Sequence, residues 1–186
     1  MQSVKLLWAI RAEFYKLSFR HIGKRTYIGK PVYLSGEKKI SLGNKVRIFP
    51  GARMEVIGNG SITVKDDVSI GQNLHIISEN EDLTIDSGTL ISSNVFITNT
   101  DHTYEKIGVP VVQQPRIVRT TRIGKECFIG YGVAIEAGTI LGNHCIVGTN
   151  AVVRGVFPDN SVIVGIPAKV IKRYDGHSDK WMREMK

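Results

Sequence analysis

The sequence has little cysteine and no long apolar run, which argues against a disulfide-stabilised protein and against a membrane-spanning one. Cys127 and Cys145 are the two cysteines among 186 residues, too few for a disulfide framework, so we expect a reducing, cytoplasmic location. No stretch of 18 apolar residues occurs, so no membrane-spanning helix is expected. The start, MQSVKLLWAIRAEFYKLSFR, carries charges within its apolar part and lacks a small-residue cleavage site, which argues against a signal peptide.

The sequence also lacks the motifs of nucleic-acid-binding proteins, although its formal net charge is +8. There is no helix-turn-helix pattern, no zinc-finger spacing and no aromatic RNA-binding motif. The positive charge is concentrated in residues 1–25 (+5), 103–122 (+3) and 154–186 (+3). Such patches favour a polyanionic partner, and a phosphorylated small molecule or an acidic membrane surface suits them better than nucleic acid.

The most regular feature of the chain is a period of six residues. From Ile123 the sequence reads IGKECF, IGYGVA, IEAGTI, LGNHCI, VGTNAV, VRGVFP. Similar hexads begin upstream at Ile22, Leu42, Val64 and Ile85. A period of six fits neither an amphipathic helix nor a long alternating strand, but it fits a short strand and a tight turn, repeated.

This repeat predicts an all-β coil, a parallel β-helix, over about residues 22–158. Three strand–turn units make one triangular coil of 18 residues, and the first and fifth residues of each hexad point inward. The Gly or Asn between them would supply the unusual backbone angles of the turn. Cys127 and Cys145 are 18 residues apart at the fifth position, so we expect them to stack on adjacent coils as core filler.

The two ends of the coil need covers, because a solenoid exposes its terminal edges. Residues 1–21 predict an amphipathic helix with one stripe at Leu7, Ile10, Phe14 and Leu17. A second stripe consists of Trp8, Tyr15 and Phe19. This helix would either cap the first coil and a neighbouring subunit or present the second stripe to a membrane surface. Residues 159–186 predict a tail with a short helix that begins at Ser178 and extends to Lys186.

The repeat stops once, after the hexad ITNTDH, and resumes at Ile117 with IVRTTR. Residues 103–116 therefore predict an extruded loop, and loops of that length inside a compact domain are usually functional. His102 is the last residue before the loop and would lie at a corner of the coil. A histidine in a sheltered groove is a natural general base near neutral pH. His75 and His144 also lie in the coils, so the residues alone do not single out His102.

Three segments resemble the maltose and galactoside acetyltransferase branch of the hexapeptide-repeat family, in the style of bacterial polysaccharide O-acetyltransferases. They read TNTDHTY, TRIGKECFIGYGVAIEAGTILGNHCIVGTNAVV and VIVGIPAKVIK, within about residues 84–173. The resemblance implies a left-handed β-helix that assembles as a homotrimer, with active sites between subunits. It also implies acetyl-CoA as the acyl donor, a saccharide as the acceptor and His102 as the base that takes the acceptor's proton.

The same resemblance implies the binding residues. Those for the acceptor are Gln72, Asn73 and Asp101, and those for CoA are Tyr131, Thr149, Arg154, Lys169 and Lys172. Asp101 could orient the His102 ring or serve the turn, and the basic residues could be ordinary solvated surface. The sequence departs from the family at Phe128, where a Trp is frequent, and at Gln72, where an Asn is usual.

Other functions stay open. A zinc hydratase on the same coil would need three histidines, two of them close in sequence, and no such pair exists, so we expect no metal. A non-catalytic structural coil is disfavoured by the loop and by the GIPAKVIK ending. Within the enzyme class, the alternative is N-acetylation of an amino sugar nucleotide.

Overall fold

The six-residue repeat folds as a three-faced parallel β-helix, as predicted. The computed structural model describes residues 2–184, and side chains from residue 5 onward. Face A contains the strands His21–Ile22, Ile40–Leu42, Ser61–Val64, Asp82–Ile85, Arg122–Ile123, Ile140–Leu141 and Val156–Phe157. Face B contains Tyr27–Ile28, Arg47–Ile48, Ser69–Ile70, Leu90–Ile91, Phe128–Ile129, Ile146–Val147 and Ser161–Gly165. Face C contains Tyr33–Ser35, Arg53–Ile57, His75–Glu79, Phe96–Thr98, Ala134–Ile135 and Val152–Val153.

The core is the axis of the coil, which the inward residues of each hexad fill. Ile123, Ile129 and Ile135 begin consecutive hexads, and each is fully buried. Cys127 and Cys145 are also buried, so their role as core filler is confirmed. Contact with the Cys145 thiol, together with burial, raises the pKa of the Cys127 thiol. A thiol held neutral in this way is a poor nucleophile and metal ligand.

The second position of the hexad is glycine because the next coil lies too close for a side chain. A Cβ on Gly124 would stand 2.4 Å from the carbonyl oxygen of Gly142. The left-handed backbone angle falls two residues later, at Glu126 (φ 55°) and, one coil on, at His144 (φ 53°). The prediction that glycine serves the turn angle is therefore wrong at this position.

The N-terminal helix Gln2–Tyr15 packs on the first coil, but through the stripe opposite to the one predicted. The Trp8 ring lies 5.4 Å from the Phe49 ring, and Ala12 and Phe19 are buried. The other stripe, around Leu7 and Phe14, is exposed. The helix therefore lies on the first coil, and the expected buried face is corrected, because Trp8 and Ala12 pack inward and the stripe of Leu7 does not. Among the described residues, no helix is long and apolar enough to span a bilayer.

The C-terminal segment adds two antiparallel strands to face B. Ala168–Asp175 pairs with Ser161–Gly165, and Lys180–Arg183 pairs with Ala168–Asp175. The predicted helix from Ser178 is wrong, because Ser178 donates a hydrogen bond to the Asp175 carboxylate (2.7 Å) inside the turn between these strands. The predicted end of that helix, at residues 185–186, lies outside the described residues.

Candidate active site

The interruption of the coil is a two-stranded antiparallel ribbon that projects from the corner between faces C and A. Its strands are Thr100–His102 and Arg116–Val118, and His102 pairs with Arg116. The excursion is therefore longer than the predicted loop of residues 103–116. His102 lies within the ribbon, three residues beyond Asn99, and not at the corner itself. The predicted hexad at Ile117 is wrong, because those residues pair with the outgoing strand, and the coil resumes near Thr121.

The tip of the excursion is closed by one buried glutamine. Gln114 donates hydrogen bonds to the carbonyl oxygens of Val109 (2.9 Å) and Lys106 (3.1 Å), and it accepts one from the Lys106 amide (3.1 Å). A short 3₁₀ turn, Val111–Gln113, precedes it. The excursion thus has a fixed shape of its own.

The chain leaves and rejoins the coil at a single hydrogen-bonded seam. The buried Asn99 side chain accepts a bond from the Glu79 amide (2.7 Å) and donates one to the Glu79 carbonyl (3.1 Å). On the returning side, the Thr121 hydroxyl donates to the Thr98 carbonyl (3.0 Å). These polar groups replace the strand pairing that the coil loses where the ribbon departs.

A buried carboxylate fixes the ribbon to face C. The Glu79 side chain is 8% exposed. One of its oxygens lies 2.8 Å from the Arg116 guanidinium, and the other accepts a 2.7 Å hydrogen bond from the Thr100 hydroxyl. Thr100 and Arg116 belong to opposite strands of the ribbon, so one residue holds both strands. Because Arg116 is the strand partner of His102, Glu79 sets the position of the histidine through a single intermediate.

His102 lines a groove of about 320 Å³ between the ribbon and face C. The groove lining also includes these residues: Ile57, Ile77, Phe96, Thr98, Thr100, Asp101, Arg116, Glu136 and Ala137. Its apolar floor and its rim of hydroxyl, carboxylate and guanidinium groups suit a polar ligand with one apolar side. His102 and Arg116 also line a second cavity, together with Glu79 and Val112.

Asp101 serves the backbone beside the histidine. Its carboxylate accepts a 2.8 Å hydrogen bond from the backbone amide of His102. Among the described residues, none makes a hydrogen bond to the His102 ring, and the residue is exposed. The imidazole is thus free to take a proton from a bound acceptor, which is the first requirement for a general base.

Two charged groups near the groove were not predicted from the sequence. Glu136 lines the groove and lies 3.9 Å from Arg154, which links that predicted CoA residue to the histidine's surroundings. Glu79 was missed because it stands next to Asn80 and Glu81 in a stretch that is typical of an exposed polar corner. An ion pair between a buried carboxylate and a residue 37 positions away leaves no local signal in the sequence.

The predicted acceptor residues Gln72 and Asn73 lie at a different corner, between faces B and C. Asn73 adopts a left-handed conformation (φ 58°) and donates a hydrogen bond to the Asn94 side chain on the next coil (2.9 Å). Gln72 lines a shallow pocket at the same corner. Within one chain, neither residue lines the His102 groove.

The predicted CoA residues are distributed along the last coils. Tyr131 and Thr149 lie at the corner between faces B and C, where the Asn94 amide donates to the Tyr131 hydroxyl. Arg154 lies across face C from them. Lys169 and Lys172 are on the strand Ala168–Asp175, next to face B. The structure therefore places Arg154 near the groove and the two lysines on the added strand.

Neither His75 nor His144 joins His102. The His75 ring lies 3.1 Å from the Glu55 carboxylate and packs against Phe96 on the outside of face C. Hydrogen bonding from Arg53, reinforced by His75, lowers the pKa of Glu55. His144 stacks on Trp181 in the C-terminal strands. Among residues 2–184, no group of three His, Cys, Asp or Glu side chains is arranged to hold a metal ion.

The chain matches one protein family and is similar both to an O-acetyl transferase and to an amino-sugar acyltransferase. The bacterial transferase hexapeptide (six repeats) family matches residues 120–155. WbbJ of Escherichia coli K12, a candidate lipopolysaccharide biosynthesis O-acetyl transferase, is 37% identical over 158 residues, which cover 81% of this chain and 80% of WbbJ. A dTDP-4-amino-4,6-dideoxy-D-glucose acyltransferase of Escherichia coli is 30% identical, and the match covers 84% of this chain and 83% of that protein.

The fold is also that of a solved acyltransferase. A single-site mutant of AntD from Bacillus cereus, an N-acyltransferase in complex with dTDP and coenzyme A, superposes with a TM-score of 0.77. The match covers 89% of this chain and 90% of that one at 20% sequence identity. At this identity the likeness shows the fold alone, and the substrate has to be inferred from the site.

Proposed function

Because the chain belongs to the bacterial hexapeptide-repeat transferase family and is an acyltransferase, we propose that it transfers an acetyl group from acetyl-CoA to a hydroxyl of a saccharide. The observation that carries the proposal is His102, whose unpartnered ring, among the described residues, lines a groove with polar walls and an apolar floor. The identity to WbbJ supports a hydroxyl acceptor, in a precursor of a surface polysaccharide.

The reaction needs one proton acceptor and two positioned substrates. His102 removes the proton from the acceptor hydroxyl while the oxygen attacks the thioester carbonyl carbon. The carbon–sulfur bond then breaks, and the CoA thiolate takes up the proton that His102 holds. General-base assistance contributes about 10²–10⁴ in rate, and holding the alcohol and the thioester together contributes more.

The open groove supports a shared active site. His102 is exposed and, among the described residues, no element of the chain covers it. Acyl transfer competes with hydrolysis unless water is excluded, so we infer that a neighbouring subunit of a homotrimer closes the groove. That subunit would also bring the corner of Gln72 and Asn73 to the acceptor. Purified protein that sediments as a 20.6 kDa monomer at assay concentration would contradict this arrangement.

We place CoA along the last coils, with its phosphates on the strand that carries Lys169 and Lys172. Replacing both lysines by alanine is expected to raise the KM for acetyl-CoA by about tenfold and to leave kcat nearly unchanged, because phosphate contacts bind the ground and transition states equally. Steady-state kinetics at saturating acceptor measure this. Lys38→Ala together with Lys39→Ala, at the other end of the coil, is the control, and an unchanged KM in the first variant would contradict the placement.

A thiol-release assay with acetyl-CoA tests the function directly. We expect release of free CoA with a neutral sugar or a lipid-linked saccharide, and a product that mild base cleaves, as esters are cleaved. Release that requires an amino sugar nucleotide, with a base-stable amide product, would replace O-acetylation by the alternative reaction. N-acylation of an amino sugar nucleotide is the second candidate because the chain is also 30% identical to an amino-sugar acyltransferase. Absence of release with every acceptor class would contradict both.

The cellular setting follows from the same chemistry. Cys127 and Cys145 are free thiols, which supports a reducing compartment, and we propose that the protein acts in the cytoplasm.

A further inference from the structure

The N-terminal helix exposes an apolar face that nothing in the described chain covers. This face, here called the outer helix face, consists of Leu6, Leu7, Ile10, Phe14 and Leu17. Their exposed fractions range from 46% for Ile10 to 88% for Leu17. Five large apolar side chains on one short surface are more than the scattered apolar residues that soluble proteins normally expose.

The opposite side of the same helix is apolar too and is already used. Trp8 and Ala12 face the coil, and Arg11 donates a 3.1 Å hydrogen bond to the Ile28 carbonyl at the top of face B. The helix is thus fixed to the coil, and its outer face is held outward. A helix that is apolar on both sides normally has both sides covered. The inner side of the helix packs on the coil, whereas the outer helix face has no packing partner among the described residues. We therefore expect a partner from outside the chain to contact the outer helix face.

The end of the molecule that carries the outer helix face is cationic, and this charge indicates which partner would contact that face. The helix packs against the strands His21–Ile22 and Tyr27–Ile28, and the turn between them exposes Lys24 and Arg25. Residues 1–25 hold six Lys and Arg against one acidic residue, Glu13, and Glu13 is paired with Lys16 (2.7 Å). A second copy of the same surface would bring two such cationic ends together, which is unfavourable. An anionic surface would attract them.

We propose that the outer helix face docks on an anionic lipid bilayer, with the helix lying in the plane of the interface. The leucines and Phe14 would enter the boundary between headgroups and acyl chains, while the cations around the first coil contact lipid phosphates. The helix has 14 residues, which suits lying on the surface and is too short to cross it. This surface lies on the first coil, separate from the His102 groove, so the proposal holds for an O- or an N-acyltransferase.

Vesicle co-sedimentation of the full-length protein tests the proposal. We expect binding to vesicles that contain about one third phosphatidylglycerol, weak binding to pure phosphatidylcholine, and weakening of the former as salt is raised. The double variant Leu7→Gln, Phe14→Gln is expected to bind the anionic vesicles at least about tenfold less tightly. Both residues are exposed, so the fold and the thiol-release activity on a soluble acceptor should be kept.

Two matched variants complete the design. Ile107→Gln with Val156→Gln removes two comparably exposed apolar side chains far from the helix and should leave vesicle binding unchanged. Arg20→Gln with Lys24→Gln should weaken binding to anionic vesicles and abolish much of its salt dependence. Vesicle binding that is absent in the wild type, or insensitive to the Leu7 and Phe14 changes, would overturn the proposal. So would a double variant that loses its oligomeric state in sedimentation velocity without lipid, because the face would then be a subunit contact.

Discussion

The His102→Ala variant is expected to lose a factor of about 10² or more in kcat while its unfolding temperature stays within about a degree or two of the wild type. The loss follows from removing the base that takes the acceptor proton. Stability should persist because the ring is exposed and no described residue hydrogen-bonds to it. Thiol release at saturating acetyl-CoA and acceptor measures kcat, and the KM for acetyl-CoA should be nearly unchanged, since the histidine acts on the acceptor.

A histidine elsewhere on the coil provides the matched control. His21 is exposed on face A of the first coil, far along the chain from the ribbon, and His21→Ala should keep wild-type kcat. If His102→Ala releases CoA at the wild-type rate with a good acceptor, the proposed mechanism is wrong. Equal losses in both variants would point to a general effect of losing an imidazole and would equally contradict the assignment.

Glu79→Ala is expected to show the second largest effect, because it removes the carboxylate that holds both strands of the ribbon. The unfolding free energy should fall by about 1–3 kcal/mol, since the Thr100 and Arg116 contacts are lost together. The kcat should fall by at least about tenfold, because a displacement of about 1 Å in a catalytic group costs up to 10² in rate. Hydrogen exchange of the amides in residues 100–118 should become faster, and this readout reports the loosened ribbon directly.

Two other variants separate positioning from general destabilisation. Glu79→Gln keeps an acceptor for Arg116 and a polar partner for Thr100, so it should recover most of the lost kcat. Glu81→Ala removes an exposed glutamate from the same corner, whose carboxylate accepts a hydrogen bond from Thr120, beyond the paired strands of the ribbon. Its kcat should be unchanged. If Glu79→Ala keeps full kcat despite faster hydrogen exchange in the ribbon, the catalytic position of His102 does not depend on the contacts of Glu79 with Thr100 and Arg116.

The parts of the molecule that repeat could be predicted from the sequence, and the parts that depend on long-range contacts could not. A period of six fixes which residues face inward, so Ile123, Cys127 and Cys145 were correctly predicted as core. An interruption was also predicted from the missing repeat, although it was placed after His102, whereas in the structure the chain leaves the coil after Asn99. Its bounds were wrong because antiparallel pairing of Thr100 with Val118 is decided by hydrogen bonds between strands, which hexad counting does not register.

The sequence did not predict which side of the N-terminal helix is packed, nor that the C-terminal segment forms strands instead of a helix. Both stripes of the helix are apolar, so spacing alone could not choose between Leu7 and Trp8 as the packed side. At the C-terminus, Ser178 is a good helix cap by type, but its hydroxyl bonds Asp175 in a turn, and the strand edge of face B provides a partner for Lys180–Arg183. An exposed strand edge outweighs a weak helix signal.

The two antiparallel strands beyond Gly165 also influence how copies of this molecule can associate end to end. A parallel coil invites another coil to stack on its open end, which would lead to fibres. On face B that end is covered by two added strands, and the outermost one, Lys180–Arg183, places Lys180 and Arg183 on the exposed edge, where charged side chains disfavour pairing with an incoming strand. At the opposite end, the helix lies across the first coil. Axial polymerisation is therefore disfavoured at both ends of this face, and association is directed to the sides of the coil, where the proposed homotrimer would close.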